Sequence, residues 1–344
     1  YVSQFYDMGL LRNIDDLLEA DTEYKPEEIF PSGIWNSAYN LVTSDGNRYG
    51  LPAVIGQRYT VYDTKLFDDW GVEYLSEYPT TQEIIEKAAK MTGTNPVTGE
   101  QNYGVWFKLP MPMDVFTFVA WSYAYGVTGG EGSTDDPANI KWNLNDEKMV
   151  NLFTDFGELI RYTPAGFLTG TGDETFGTTD NDVAIYLDYS GSNVMSRYYQ
   201  TGETDMISRF QPTMNVGPNG EGWVAVDPIV MAANPQNLDA SWEVMKALAS
   251  ADRQQYHYTE FRWTPAVKDF SFLNKEDIYA PYALKIADQA HYTLIDEGDP
   301  FYTTEIVPLV NSYCADVLEG KTVDIQAMLD DLQAKAVAWS AAQQ

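Results

Sequence analysis

The sequence is poor in cysteine and histidine. Its single cysteine, Cys314, excludes an internal disulfide and any zinc site built from several thiolates. Only two histidines are present, His257 and His291, and their spacing fits no metal-ligand motif. Histidine-based catalysis and metal binding therefore have little support, and we predict no metal and no other cofactor.

Positive charge is scarce as well. The 344 residues contain 21 Lys and Arg against 51 Asp and Glu, which gives a formal net charge of −30. A field of that sign repels phosphates, so we exclude nucleic acid as a partner. The acidic balance is compatible with a secreted or surface-anchored protein, and it also leaves room for a cationic ligand.

No apolar run is long enough to cross a bilayer. The longest, 115–127, is interrupted by Thr117 and Ser122, and the chain does not open with a basic segment followed by an apolar one. The hydrophobic share of 44% is that of a globular protein. The length predicts about two domains.

Helical and strand patterns alternate along the chain. Strands are predicted at 48–52, 59–62, 183–187 and 223–231, with an irregular stretch at 53–58. Helices are predicted over 1–20, after a capping box at 80–83, after 145, after a cap at 239, over 306–317 and over 325–339. Pro228 must lie at a strand edge, a strand end or a bulge. The alternation favours an α/β fold.

Motifs for nucleotide binding and hydrolysis are absent or incomplete. Gly320-Lys321-Thr322 imitates the end of a phosphate-binding loop, but Ala315 stands where that loop requires glycine and a helix precedes it. Gly320 is better explained as a helix C-cap. The 51 acidic residues offer many carboxylate pairs, so counting them gives no specific signal for a glycoside hydrolase.

Aromatic residues stand beside polar ones at the predicted ends of elements. These groups are Trp106-Phe107-Lys108, Asp188-Tyr189-Ser190, Trp223, Arg262-Trp263 and Phe301-Tyr302. Flat rings stack on the C–H face of a sugar, and polar side chains bond its hydroxyls, so such mixtures are typical of carbohydrate pockets. Packing in the core is the alternative for each ring taken alone.

Several short motifs follow one another along most of the chain. They are GNRYGLP at 46–52 with VYDTKLF at 61–67 and Gly71, PTTQE at 79–83, the stretch 176–187 with DVAI at 182–185, NP at 234–235 with ASWE at 240–243, and 320–328 opening with GKT. In this order they resemble the carbohydrate-binding family of extracellular solute-binding proteins of ABC transporters, which includes the maltodextrin-binding proteins. Asp63-Thr64 and Gln82 depart from the family pattern.

The resemblance implies a periplasmic-binding-protein-like α/β fold of type II, with two lobes joined by three hinge crossings. One lobe would consist of 1–54 with 225–264, and the other of 56–222 with 267–344. The crossings would fall near Pro52–Gln57, Gly222–Asp227 and Thr264–Lys268. The family usually has a signal peptide, often a lipid-anchored cysteine, and a first strand and helix before the position of Tyr1, so we expect an N-terminal segment to be missing here.

The resemblance also implies a function. A sugar or oligosaccharide would be captured in the cleft by hinge closure and delivered to the permease subunits of an ABC transporter. The protein would then be no enzyme but a monomeric extracellular or periplasmic binding protein, anchored as a lipoprotein through the missing segment.

The ligand site expected from these arguments contains arginine donors, aromatic stacking surfaces and a carboxylate acceptor. Its residues are Gln57, Arg58, Trp106, Asp188, Tyr189, Trp223, Arg262 and Trp263. Arg58 and Arg262 would donate to vicinal hydroxyls or to the carboxylate of an acidic sugar. Two alternatives stay open: a binding protein for a polyamine or peptide, held by acidic and aromatic groups, and a glycoside hydrolase.

Overall fold

A computed structural model describes residues 2–36, 41–43, 45–107, 116–134, 136–189, 198, 202, 204–261, 263–275, 277–296 and 300–343, without the side chains of residues 3, 4, 57, 188, 204 and 205. Contacts divide the chain into two compact units. Unit 1 comprises the described residues up to 57 and 224–292, and unit 2 comprises those of 58–189, 198–223 and 293–343. Both units are therefore assembled from separate stretches of the chain.

Helices and strands are mixed along the chain, as expected of an α/β protein, but they come in groups rather than in strict alternation. The helices are α1 (Val2–Asp7), α2 (Asp15–Ala20), α3 (Pro26–Ile29), α4 (Ser32–Trp35), α5 (Thr64–Trp70), α6 (Thr81–Lys90), α7 (Phe116–Tyr125), α8 (Glu147–Leu159), α9 (Leu238–Ala249), α10 (Ala251–Phe261), α11 (Ala280–Asp288), α12 (Val307–Leu318) and α13 (Ile325–Ala341). The strands are β1 (Gly50–Gln57), β2 (Tyr59–Asp63), β3 (Gly93–Thr94), β4 (Gln101–Trp106), β5 (Gly130–Glu131), β6 (Lys141–Trp142), β7 (Val183–Tyr189), β8 (Phe210–Thr213) and β9 (Val224–Val230). Short 3₁₀ turns lie at Pro137–Asn139, Ile160–Tyr162, Phe167–Thr169 and Thr204–Ser208, and a π-helical turn at Tyr302–Ile306 precedes α12.

Unit 1 contains the antiparallel pair of β1 and β9. The register runs from Gly50 opposite Val230 to Gln57 opposite Val224, and it shifts just after Pro52, which faces Pro228. The prediction that Pro228 lies at a bulge or an end is confirmed. The irregular stretch expected at 53–58 is wrong for most of its length, because pairing with β9 keeps β1 extended as far as Gln57.

The N-terminal part of unit 1 is not the single helix that the apolar stripe over 1–20 predicts. Gly9 adopts a positive φ of 67° and ends the first helix. The chain is then extended, since Leu11 bridges to Ala232 and the amide of Arg12 donates to the carbonyl of Met231. Pairing with the end of β9 therefore overrides the helical periodicity until α2 begins.

The buried core of unit 1 includes side chains from β1 and α9. It consists of Ile14, Phe30, Leu51, Met231, Trp242, Met245 and Ala249. Trp242 also donates its indole N–H to Asp21, 3.0 Å away, and Lys246 bonds the same carboxylate. These two hydrogen bonds lower the pKa of Asp21 to about 2, the bond from Lys246 being the stronger influence. A partly buried ion pair thus joins α9 to the end of α2.

Unit 2 is built on a five-stranded sheet in the order β3-β4-β7-β2-β8. β4 and β7 are parallel, and the other neighbours are antiparallel. The apolar helix α7 packs on α8, where Phe118 contacts Phe153 and Phe156 with ring centroids 4.9 and 5.5 Å apart. Within the described ranges, no helix is both long enough and apolar enough to span a membrane.

Helix caps follow the sequence in part. The hydroxyl of Thr80 accepts from the amide of Glu83 at 3.0 Å, as a capping box requires. Glu83 does not return the bond, because its carboxylate accepts from Ser76 and Lys87 instead. The cap predicted at Asp239 is wrong by two residues: Asn237 accepts from the amide of Ala240, and Asp239 lies in the first turn.

The end of α12 shows why Gly320 is not part of a phosphate loop. Gly320 has a φ of 77°, its amide donates to Val317, and the amide of Lys321 donates to Asp316. This pair of bonds is the Schellman motif, so the C-cap prediction is confirmed. Cys314, on the same helix, is fully buried, and burial raises the pKa of its thiol.

Residues 267–292 group with unit 1. The amide of Lys268 donates to the carbonyl of Ile29 at 2.7 Å, and α11 packs so closely on α4 that a Cβ on Gly33 would lie 2.6 Å from the carbonyl oxygen of Ala287. The lobes expected from the sequence place this stretch with 293–344 instead. The contact-based units differ from the expected lobes there, and the lobe boundaries stay a prediction.

Candidate functional site

Four strand ends of unit 2 lie at one edge of its sheet. β2 begins there at Tyr59, directly after Arg58, and its antiparallel neighbours β7 and β8 end there at Tyr189 and Thr213. β4 runs parallel to β7, so it ends at the same edge. The sheet thus brings to one edge the predicted site residues Arg58, Trp106, Asp188 and Tyr189. Loops at the carboxyl ends of strands are a usual position for ligand sites in α/β proteins.

An aromatic pair lies beside Arg58 at this edge. The ring of Trp223 stacks on that of Phe116, with centroids 4.1 Å apart and planes at 25°. The guanidinium of Arg58 lies 5.6 Å from the centroid of the Phe116 ring, within the range of a cation–π contact. We call Arg58, Phe116 and Trp223 the donor cluster. It combines a cationic planar donor with two buried, stacked rings.

Neither polar group of the donor cluster has a partner among the residues that the structure describes. Trp223 is 6% exposed, and its indole N–H is buried without a hydrogen bond in the described part of the chain. Arg58 is a half-buried residue, and its guanidinium likewise forms no ion pair or side-chain hydrogen bond with any described residue. A buried donor left without an acceptor costs about 1–3 kcal/mol. The cluster therefore offers two donors to an oxygen-rich ligand.

Asn215 and Gly222 lie directly behind the donor cluster. Asn215 is 5% exposed, and its side-chain amide donates to the carbonyl of Arg58 at 2.8 Å. A Cβ on Gly222 would lie 2.1 Å from that amide nitrogen. The backbone before Trp223 thus packs against the side chain that holds the backbone of Arg58.

The other predicted residues of unit 2 differ in exposure. Tyr189 is half-buried, and its ring packs 5.1 Å from Phe176 and 4.6 Å from Tyr186. Trp106 is only 1% exposed and packs edge-on against Phe167, so it presents no open face for stacking. The side chain of Asp188 lies outside the described residues. A binding role for these three stays a prediction, and burial counts against Trp106.

The remaining predicted residues belong to unit 1. Gln57 ends β1, but its side chain lies outside the described residues, as does all of Arg262. Trp263 is 46% exposed. It lies near the end of β1, because Pro265 bridges to Val54. An exposed aromatic surface therefore accompanies the end of this strand.

Trp263 belongs to a larger aromatic patch at the end of α10. Its ring lies 5.3 Å from Phe261 and 5.1 Å from His257, and Tyr256 lies 6.2 Å from Phe261. Burial, together with the charge of Arg253, lowers the pKa of His257 below its usual range. His257 is therefore predominantly neutral at pH 7 and acts as a further ring in the patch.

Sequence reasoning missed Phe116, Asn215 and Gly222. Phe116 opens an apolar run that reads as a core segment, and its contact with Trp223 spans more than a hundred residues. The only local signal for Asn215 is a polar residue placed just after a strand, close to a glycine-rich loop. Neither signal identifies a site without the fold.

Solved structures of the same fold bind sugars and polyols. The sugar-binding protein MalE from Xanthomonas citri is 16% identical and has a TM-score of 0.76, with 99% of this chain and 82% of that chain covered. A substrate-binding protein from Listeria monocytogenes in complex with cycloalternan is 14% identical at a TM-score of 0.70, covering 98% and 82%. One from Agrobacterium radiobacter in complex with ribitol is 18% identical at 0.72, covering 98% and 82%. No curated protein sequence matches the chain. The fold is thus that of the periplasmic solute-binding proteins.

The family follows from the sequence itself. A family model described as bacterial extracellular solute-binding protein matches residues 1–255, so the chain belongs to that family. The resemblance drawn from its motifs is confirmed. Membership implies a binding protein rather than an enzyme, located in the periplasm or outside the cell.

Proposed function

We propose that this protein captures a sugar, a sugar alcohol or an oligosaccharide and delivers it to the permease of an ABC transporter. The lobes would be 1–54 with 225–264 and 56–222 with 267–344, closing on the ligand as a monomer. A ligand that contacts both lobes binds the closed state more tightly, and a few kcal/mol of differential affinity is enough to shift the population. Attachment to the membrane as a lipoprotein belongs to the same proposal.

The observation that carries the proposal is that the two donors of the donor cluster have no partner in the described part of the chain. A sugar ring has acceptor oxygens around its edge and C–H groups on its faces. The guanidinium of Arg58 and the indole N–H of Trp223 supply the donors. The rings of Phe116 and Trp223 are only 4% and 6% exposed, so they support the donors rather than offer an open face for stacking. The bound ligands of the Listeria and Agrobacterium proteins, an oligosaccharide and a sugar alcohol, belong to this chemical class.

The same cluster counts against a cationic ligand. A polyamine or a basic peptide would be repelled by the guanidinium of Arg58, which has no neutralising carboxylate among the described residues. The net charge of −30 attracts cations to the protein in general but does not build a site for one at this edge. A neutral or acidic carbohydrate is the better match.

A thermal-shift panel tests the proposal. The protein would be heated with maltotriose, cycloalternan, ribitol, mannitol and galacturonate, and separately with spermidine and an oligolysine peptide. A carbohydrate at a hundred times its Kd adds about 2.7 kcal/mol of stability, which raises Tm by roughly 5–10 °C. A shift with spermidine or oligolysine alone would refute a carbohydrate ligand.

Variants then locate the site for any carbohydrate that gives a shift. Arg58→Ala should weaken its binding about 10- to 100-fold, which corresponds to the loss of one or two hydrogen bonds to a charged donor. Arg161→Ala is the matched control, because Arg161 is an exposed arginine of unit 2 whose one ion pair among the described residues is with Glu158 at 3.4 Å. Equal affinities of the two variants would remove Arg58 from the site.

A further inference from the structure

Asn215 connects two chain segments that are far apart in sequence. Its side-chain nitrogen lies 2.8 Å from the carbonyl oxygen of Arg58. A carbonyl oxygen can only accept, which fixes the orientation of the amide. Asn215 is 5% exposed, so its side chain is largely buried, and the hydrogen bond itself is partly buried.

Gly222 completes the connection through its lack of a side chain. A Cβ at this position would lie 2.1 Å from the amide nitrogen of Asn215 and 3.1 Å from the carbonyl oxygen of Arg58. Glycine is required here for close approach of the backbone. The backbone just before Trp223 therefore packs against the Asn215 amide, and that amide is hydrogen-bonded to the backbone of Arg58.

From this geometry we infer that Asn215 is a positioning residue for ligand binding, which fixes the backbones of Arg58 and Trp223 relative to each other without touching the ligand itself. The inference rests on the proposed function only for its link to binding. Asn215 contacts the backbone of Arg58 itself and that of Gly222, which directly precedes Trp223. A displacement of one ångström at either contact would therefore move a donor group by a similar distance. Hydrogen bonds to a ligand are lost with displacements of that size.

The surroundings of Asn215 allow it to be replaced without unfolding the unit. It lines a small cavity with Thr60, Thr117 and Trp121, which has room for about one water molecule. Thr60, one of the lining residues, has a buried hydroxyl without a hydrogen-bond partner among the described residues. The cavity is lined by both polar and apolar side chains, including Leu187 and Val216. A shorter side chain at 215 enlarges it, and water can enter. We therefore expect displacement of the donors rather than loss of the fold.

Fluorine NMR of protein labelled with fluorotryptophan tests the positioning directly. The resonance of Trp223 is assigned by its disappearance in Trp223→Phe. In Asn215→Ala, in Asn215→Asp, whose carboxylate cannot donate, and in Gly222→Ala, this resonance should shift and broaden. Asn181→Ala is the matched control, because Asn181 is another buried asparagine of unit 2, 6% exposed, with bonds to Asp63 and Val183. It should lower Tm and leave the Trp223 resonance in place.

The double variant tests whether Gly222 acts through Asn215. Removing the amide also removes the 2.1 Å overlap, so adding Gly222→Ala to Asn215→Ala should cause little further change in the resonance. Independent, additive shifts would overturn the coupling. An unchanged Trp223 resonance in Asn215→Ala, Asn215→Asp and Gly222→Ala would overturn the whole inference.

Titration calorimetry with maltotriose and with ribitol connects the positioning to binding. For whichever sugar binds the unmodified protein, Asn215→Ala should weaken affinity about tenfold, and Asn181→Ala should leave it unchanged. A displaced resonance with unchanged affinity would overturn the role in binding. If the unmodified protein binds no carbohydrate while the resonance responds as expected, the proposed function fails and the positioning stands.

Discussion

Replacement of Arg209 by methionine should destabilise unit 2 by about 4 kcal/mol, because it leaves a buried carboxylate without its partner. Asp63 is fully buried at the end of β2, and Arg209 binds both of its oxygens, Nε to Oδ1 at 2.8 Å and Nη2 to Oδ2 at 2.6 Å. Asn181 adds a third bond at 2.7 Å. Once the guanidinium is gone, only two uncharged donors among the described residues would still bond the carboxylate, the backbone amide of Lys65 and the side-chain amide of Asn181.

The magnitude follows from the burial of the pair. Breaking a buried ion pair by removing one partner costs about 3–5 kcal/mol, whereas losing an exposed pair costs less than about 1 kcal/mol. With a urea dependence of roughly 2–3 kcal/mol per molar, the unfolding midpoint of unit 2 should fall by about 1.5 M. Urea unfolding at pH 7, followed by tryptophan fluorescence, measures the shift.

Two comparisons decide whether the buried charge is the cause. Asp63→Asn combined with Arg209→Met should recover part of the loss, because the charge is gone and asparagine still caps α5. Arg161→Met removes an exposed pair with Glu158 and should move the midpoint very little. A loss below 1 kcal/mol for Arg209→Met, or a double variant that is less stable than Arg209→Met, would refute the reasoning.

Two further outcomes are expected. The hydrogen bond from Lys246 is the chief reason that the pKa of Asp21 is lowered to about 2, so the carboxylate's contribution to the free energy of unfolding is fully present above about pH 4 and is lost as the pH falls towards 2. The difference in free energy of unfolding between the unmodified protein and Asp21→Asn should therefore shrink from pH 7 to pH 3. A constant difference would contradict the lowered pKa. Gly104→Ala should destabilise unit 2 by about 1–3 kcal/mol, because its Cβ would lie 2.0 Å from the carbonyl oxygen of Ala88. In the same urea experiment, Gly56→Ala should lower the free energy of unfolding far less, because the atom nearest to its Cβ would be 3.5 Å away.

Local signals predicted much of the fold. The helix C-cap at Gly320, the capping hydroxyl of Thr80 and the confinement of Pro228 to a strand edge, end or bulge each depend on a few consecutive residues, and each was confirmed. The errors lie where distant parts of the chain interact. The stripe over 1–20 is interrupted because residues 11 and 12 pair with the end of β9, an interaction that no local periodicity contains.

The candidate site was less accessible to sequence reasoning. Arg58 and Trp223 were named because family motifs place them near expected crossings, but their stacking partner Phe116 and their connector Asn215 were not. Those contacts arise only when the ends of β2 and β8 and the start of α7 meet at one edge of the sheet. The residue types can be read from the sequence, but which of them come into contact depends on the topology of the sheet. Trp106 is the opposite case: its residue type and position suggest a ligand-binding ring, but the fold buries it to 1% exposure.

The division of both units into separate stretches has a consequence for biosynthesis. β1 cannot pair until β9 has been made, and unit 2 lacks α12 and α13 until the ribosome is near residue 341. Contacts of such long sequence separation form slowly, so the growing chain stays incompletely folded for most of its synthesis. That delay suits a protein destined for the outside of the cell, because a chain that has not yet folded can still be threaded through an export channel.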